Sequence, residues 1–129
     1  MNRSELMACI RSKHTEPELI VRRIVYSLGY RYRLHRPDLP GKPDLAFPGR
    51  RKVIFVHGCF WHQHQNSRCT ISHKPRSNTA YWNPKLERNQ TRDREHYRAL
   101  RAAGWDVLVV WECEMRDNDL PHRLAEFLE

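Results

Sequence analysis

The sequence predicts a single α/β domain in which a mixed β-sheet is flanked by helices. Short runs at 31–35, 44–47, 53–56 and 107–111 have the length and the apolar or alternating pattern of strands. Longer stretches repeat apolar residues at helical spacing and begin with residues that cap helices. The chain has 129 residues, which suits one domain with one hydrophobic core.

Two helices are predicted before the first strand. Ser4 would cap a short one. Thr15 would cap a longer one, with Pro17 in its first turn and Glu18 in the position that closes a capping box. Apolar residues then recur at helical spacing until Gly29, a residue type that commonly follows a helix end.

Three strands are predicted next. In 31–35 apolar residues alternate with basic ones, so this strand would be half-exposed, with His35 on its basic outer face. A Pro-Gly turn separates the runs at 44–47 and 53–56, which therefore form a hairpin.

The second half of the chain supplies the remaining elements. A polar loop is predicted at 66–80, followed by a long helix from about 84 to 103. The continuous apolar run at 107–111 is typical of a strand buried on both faces. A last helix is predicted from about 119 to 128.

The charge of the chain indicates a nucleic-acid partner. The formal net charge is +8, and arginine is the more frequent basic residue. Guanidinium groups suit phosphates and base edges, although basic proteins without such a partner also exist. No run of about 18 apolar residues and no leader is present, so we expect a cytoplasmic monomer without a membrane span.

The stretch from His57 to His64 contains side chains suited to metal binding, proton transfer and stacking. It holds one cysteine, three histidines and the pair Phe60-Trp61, directly after the apolar run at 53–56. Cysteine and histidine at short spacing favour metal binding or proton transfer, and the aromatic pair favours stacking on DNA bases. Core burial of the aromatics is the alternative.

A structural zinc site is one prediction from these residues. Three cysteines and one histidine, namely Cys59, His64, Cys69 and Cys113, would close a tetrahedron around Zn²⁺. In the alternative interpretation, Cys59 and Cys113 are buried thiols without a metal.

A catalytic Mg²⁺ site is a second prediction. Asp44 leads a strand that pairs with its neighbour, an arrangement that resembles the core of restriction-endonuclease-like nucleases, although the usual acid on the next strand is missing. Mg²⁺ at Asp44 would take further oxygens, such as the backbone carbonyl of Val56. His62 could accept a proton from water, but spacing alone does not decide which of His57, His62 and His64 catalyses. Taken alone, an aspartate after a turn is more often an ordinary turn or strand-start residue.

Two further acids have alternative roles. Asp93 falls on the apolar stripe of the long helix, where it would either orient a catalytic imidazole or pair with an arginine. The capping-box position of Glu18 explains that residue without catalysis.

At this point the chain resembles the very short patch repair (Vsr) family of mismatch endonucleases, from about Met7 to Arg116. The most specific motifs are His-Gly-Cys-Phe-Trp-His, beginning at His57, and Val-Val-Trp-Glu-Cys, ending at Cys113. The other matching segments are 39–44, 53–56, 81–82, 92–94 and 103–105.

The resemblance implies a restriction-endonuclease-like fold and Mg²⁺-dependent nicking of double-stranded DNA beside a T:G mismatch. Such mismatches arise from deaminated 5-methylcytosine, so downstream repair proteins would be further partners. By position, Asp44 would bind the metal, His62 would be the general base and Glu18 an accessory acid. Asp93 would belong to the hydrogen-bond network around the base.

The resemblance also implies the ligands of a structural zinc ion, which are Cys59, His64, Cys69 and Cys113. It implies four residues that enter the DNA stack, which are Met7 from the minor groove and Phe60, Trp61 and Trp82 beside the mismatch. Two alternatives remain open: a related nuclease for another DNA structure, and a zinc-stabilised DNA-binding module without catalysis. Asp44 and His62 together disfavour the second.

Overall fold

The computed structural model describes residues 15–59 and 79–129. In chain order its helices and strands are α1 (Glu16–Ser27), β1 (Arg33–Leu34), β2 (Leu45–Phe47), β3 (Lys52–His57), α2 (Thr79–Ala102), β4 (Asp106–Trp111) and α3 (Leu120–Leu128). Short 3₁₀ turns follow β2 and β4. The mixed α/β class predicted from the sequence is therefore confirmed. The predicted helix after Ser4 lies outside the described residues.

The four strands form one mixed sheet in the order β1-β2-β3-β4. The first two pairings are antiparallel, and β3 and β4 are parallel. Leu45 on β2 lies opposite Leu34 on one side and Ile54 on the other. This register places the residues just before β2 beside both the end of β1 and the carboxyl end of β3.

Local sequence explains how α1 begins and ends. The Thr15 side chain accepts a hydrogen bond from the Glu18 N–H at 3.4 Å, as expected of a capping residue. Val21 and Val25 are fully buried on the inner face of the helix. Gly29 follows with a φ of 94°, a left-handed conformation that glycine adopts without steric cost.

Each face of the sheet has its own hydrophobic core. On one face α1 and α3 pack against alternate strand residues such as Ile54 and Val110. On the other face Leu100 of α2 packs against Val53 and Phe55. The alternation of side chains along β3 therefore serves both cores, because successive residues of a strand point to opposite faces.

Three details differ from the predicted elements. The helix α2 begins at Thr79 rather than near 84, so Pro84 lies inside it. A proline there removes one backbone hydrogen bond, but its fixed φ is compatible with the helix. The strand β1 spans only Arg33–Leu34 of the predicted run 31–35, and β4, predicted to be buried on both faces, is mostly half-buried, with Val110 alone of its residues buried.

Among the helices of the described residues, none combines the length and apolar character that a membrane span requires.

Candidate active site

Three elements meet beside the carboxyl end of β3. Asp44 lies one residue before β2, His35 lies one residue after β1, and Glu18 lies in the first turn of α1. The His35 N–H donates to the Asp44 carbonyl oxygen at 3.3 Å and so extends the pairing of β1 with β2. One donor atom from each of the three side chains lies within 4.8 Å of the other two.

The Asp44 carboxyl is anchored to β3. Its Oδ2 accepts a hydrogen bond from the Val56 N–H at 2.7 Å. The side chain is only 18% exposed, so the protein shields most of it from water. The two residues that the sequence assigns to Mg²⁺ are therefore in direct contact, through the Val56 N–H.

Glu18 is the most buried acid of the group, with 2% of its side chain exposed. Its Oε2 lies 2.5 Å from Nη2 of Arg22, one helical turn along α1. Its Oε1 lies 2.8 Å from Nε2 of His35. The Glu18 N–H thus donates to the capping Thr15 side chain, while the Glu18 side chain belongs to the polar cluster.

The protein raises the pKa of Asp44 from 3.8 to about 8. The largest cause is burial, since a carboxylate loses its hydration there, and the charge and hydrogen bond of Glu18 act in the same direction. The Val56 N–H and the Arg22 charge lower the pKa but do not compensate. Without a cation, the Asp44 carboxyl therefore holds a proton at neutral pH that a bound metal would displace.

A second polar group surrounds His57 on the α2 face of the sheet. Its Nε2 lies 2.5 Å from the Tyr97 hydroxyl oxygen and 4.0 Å from Oδ2 of Asp93. The ring is almost fully buried and packs against Phe55, Tyr97 and Trp111. These contacts fix the imidazole on three sides, so its orientation is set before any substrate binds.

The two groups influence one another electrostatically. Burial raises the pKa of the Tyr97 phenol, and the negative charges of Asp93 and Asp44 raise it further. Asp44 on one strand and Asp93 on α2 thus act on the same hydroxyl group. Val56 and His57 are adjacent in β3 and contribute one residue to each group.

Two of the four predicted zinc ligands are neighbours. The Cys113 N–H donates to the Cys59 Sγ at 3.4 Å, and Cys59 is fully buried. The parallel pairing of His57 with Trp111 explains this proximity, because each cysteine lies two residues beyond a paired strand end. An N–H donor stabilises a thiolate, so this contact is compatible with Cys59 as a metal ligand.

The remaining predicted residues fall into two sets. Trp82 is half-buried on α2 and meets the exposed Tyr81 edge to face, with ring centroids 4.9 Å apart. Six residues with predicted roles lie outside the described part of the chain: Met7, Phe60, Trp61, His62, His64 and Cys69.

Sequence reasoning missed three residues of these groups. His35 was assigned to the outer face of a strand, yet it contacts Glu18. Arg22 and Tyr97 each lie four residues after an acid, Glu18 and Asp93, and that helical spacing was a usable signal for both.

Comparison with known proteins identifies similar sequences along almost the whole chain. Residues 1–68 match the family described as DNA mismatch endonuclease Vsr. The chain is 52% identical to the type II nicking enzyme V.XorIIP of Xanthomonas oryzae pv. oryzae, over 98% of this chain and 92% of that protein. It is 41% identical to the type II nicking enzyme V.NmeAIP of Neisseria meningitidis, over 90% and 81% of the two chains. It is 36% identical to the DNA mismatch endonuclease Vsr of Escherichia coli K12, over 98% and 83%.

Proposed function

This chain belongs to the Vsr family of DNA mismatch endonucleases, and on that basis we propose that it nicks one strand of duplex DNA beside a T:G mismatch. The observation that carries the proposal is the grouping of Asp44 with Glu18 and the imidazole of His35 beside the carboxyl end of β3. Paired acids close to an oriented histidine are suited to phosphodiester hydrolysis, which needs a bound cation and a proton acceptor.

The acids fit a divalent cation. Burial and the neighbouring Glu18 keep the pKa of Asp44 high, and a cation would relieve the cost of ionising this carboxyl. We therefore propose that Asp44, with the backbone carbonyl of Val56, holds Mg²⁺. When bound, this ion would polarise the scissile phosphate and stabilise the negative charge that develops on it.

The next proposed roles concern proton transfer by a histidine and the acids that support it. We propose that His62 accepts the proton of the attacking water, as its position in the family motif implies. Glu18 acts as an accessory acid that, together with Arg22, sets the charge around Asp44. We propose that Asp93 orients an imidazole, and its Oδ2 lies 4.0 Å from Nε2 of His57.

We propose that Zn²⁺ pins the loop after β3 to the end of β4. The observation in its favour is the contact of the Cys113 N–H with the buried Cys59 Sγ. His64 and Cys69 would complete the tetrahedron. Because all four positions would then be filled, this zinc would stabilise the fold and take no part in hydrolysis.

DNA binding would combine charge and stacking. The net charge of +8 supports phosphate binding, and α2 exposes several of these charges, at Arg88, Arg92, Arg94, Arg98 and Arg101. We propose that Phe60, Trp61 and Trp82 insert beside the mismatch and that Met7 enters from the minor groove. Insertion of apolar side chains unstacks base pairs, and a mismatch lowers that cost.

The direct test is incubation with Mg²⁺ and a T:G duplex labelled on each strand in turn. We expect a single nick in one strand, with a 5′-phosphate at the break, and none in the matched duplex. The Asp44→Asn variant should bind the duplex and leave it uncut. Cleavage by this variant at the wild-type rate would refute the role of Asp44.

A panel of substrates tests the specificity separately. Branched duplexes and duplexes with other mismatches should be cut more slowly than the T:G duplex. Equal cleavage of a branched duplex would identify a related nuclease with another trigger. Tight binding without nicking at any concentration of Mg²⁺ or Mn²⁺ would identify a DNA-binding module.

A further inference from the structure

We propose that His35 is a nitrogen ligand of the divalent cation bound at the Asp44 and Glu18 carboxyls, and that it raises the affinity of this centre for Mn²⁺ more than its affinity for Mg²⁺. The proposal rests on the proposed function in one respect, which is that Asp44 binds a cation. It adds a ligand and a metal preference that neither the family motifs nor the names of the relatives specify.

The first support is the spacing of the donor atoms. Nε2 of His35 lies 2.8 Å from Oε1 of Glu18 and 3.8 Å from Oδ1 of Asp44. Bonds of about 2.1 Å that meet at right angles hold neighbouring donors about 3 Å apart. The two distances lie on either side of that value, so small side-chain rotations would give all three groups bonding distances to one ion.

The second support is the backbone of His35. Its φ is 46°, in the left-handed region that residues with side chains adopt infrequently. The hydrogen bond from its N–H to the Asp44 carbonyl holds it there, where a regular continuation of β1 would require an extended conformation. Such conformations concentrate at functional sites, because the surrounding structure must maintain them.

The third support is the arrangement of charges. The Arg22 guanidinium forms an ion pair with Oε2 of Glu18, and the other carboxylate oxygen, Oε1, contacts His35. The imidazole thus lies between two carboxyls that belong to different elements, α1 and the start of β2. A cation in this cluster would replace the hydrogen bonds of the imidazole with a bond to its nitrogen lone pair.

The donor set decides the metal preference. Mg²⁺ favours oxygen ligands and keeps several waters. Imidazole nitrogen suits later divalent metals better, and affinity for mixed nitrogen and oxygen sites rises along the series from Mn²⁺ to Cu²⁺. Loss of the nitrogen should therefore weaken Mn²⁺ binding much more than Mg²⁺ binding.

Metal binding without DNA tests the proposal. Zinc-replete protein would be titrated with Mn²⁺ and with Mg²⁺ by calorimetry, and electron spin echo spectroscopy of bound Mn²⁺ would detect a coordinated imidazole nitrogen. The variant His35→Asn is the first choice, because asparagine tolerates a left-handed φ. His35→Gln is the second variant. His122→Gln is the matched control, since that side chain is 82% exposed on α3.

We expect His35→Asn and His35→Gln to weaken Mn²⁺ binding by about tenfold or more, as loss of groups around a metal does. The nitrogen signal should disappear in both variants and persist in His122→Gln, and Mg²⁺ affinity should change by less than about threefold. A nitrogen signal that persists in both His35 variants would overturn the proposal, and so would equal losses of Mn²⁺ and Mg²⁺ affinity. Nicking of T:G duplexes is scored separately, so a protein that binds Mn²⁺ through His35 but cuts no DNA would refute only the proposed function.

Discussion

Replacing the Asp44 carboxyl by an amide should stabilise the cation-free protein while it abolishes nicking. In the folded protein, burial and the neighbouring Glu18 raise the pKa of Asp44 from 3.8 to about 8. In the unfolded chain the same carboxyl is ionised at neutral pH, so folding must return a proton to it. The Asp44→Asn variant is neutral in both states and can still accept the Val56 N–H, so it avoids this cost.

The size and the pH dependence of the effect follow from the two pKa values. At pH 7 the unfolded carboxyl lies about 3 units above its pKa of 3.8, which corresponds to a cost of about 4 kcal/mol in the folded state. Below the unfolded pKa of 3.8, the Asp44 carboxyl is protonated in both states, and the stability of the folded protein is unaffected. As the pH rises from there through the folded pKa of about 8, the stability is lost, because the unfolded chain gives up the proton more readily than the folded protein does. The cost should therefore be absent below about pH 3, grow with pH between the two pKa values and become constant above about pH 8.

Urea unfolding followed by tryptophan fluorescence would measure this difference. Wild type, Asp44→Asn and the control Asp106→Asn, which changes an exposed acid, would be compared between about pH 5 and about pH 9 without divalent cations other than the proposed zinc. Added Mg²⁺ should then stabilise wild type and leave Asp44→Asn unchanged, because a ligand stabilises only the state that binds it. A difference between wild type and Asp44→Asn that does not vary with pH would refute the reasoning.

The other predictions concern the contact of Tyr97 with His57, the proposed zinc site and the insertion of Trp61 beside the mismatch. Tyr97→Phe removes the hydroxyl bonded to His57 and should lower the free energy of unfolding by about 1 kcal/mol, measured by urea unfolding; an unchanged midpoint would contradict the contact. Purified wild-type protein should hold about one equivalent of zinc by metal analysis, and Cys113→Ala should lose it; retention of zinc by that variant would exclude the proposed ligand set. Trp61→Ala should weaken binding to the T:G duplex about tenfold more than it weakens binding to the matched duplex, measured by titrating both. Equal losses of affinity would exclude insertion of Trp61 beside the mismatch.

Much of the architecture could be predicted from the sequence because it depends on local interactions. The Thr15 cap, the left-handed Gly29 and the hairpin of β2 and β3 all follow from residues close together in the chain. The start of α2 was predicted five residues too late because Pro84 resembled a first-turn proline. A proline is compatible with either position, so its presence alone does not decide where a helix begins.

The candidate site could be predicted only in part. The sequence predicted that Asp44 and Val56 lie at one site, because Asp44 leads the strand that pairs with β3, and the structure places the Val56 N–H against the Asp44 carboxyl. His35 was missed because strict alternation assigns it to the outer face of its strand, whereas its left-handed backbone breaks that alternation. The partner of His57 was missed because Tyr97 is 40 residues away along the chain.

By itself, the sequence determined the α/β class, the family of the protein and the residue types available for metal binding and proton transfer. Those properties are encoded in local patterns and in a motif that is contiguous along the chain. Only the tertiary structure decided which groups meet: the side chain of Glu18 with those of His35 and Asp44, that of Tyr97 with that of His57, and the Cys59 thiol with the Cys113 backbone N–H. These contacts depend on strand register and on the packing of helices against the sheet, and both are set by the balance of interactions over the whole fold.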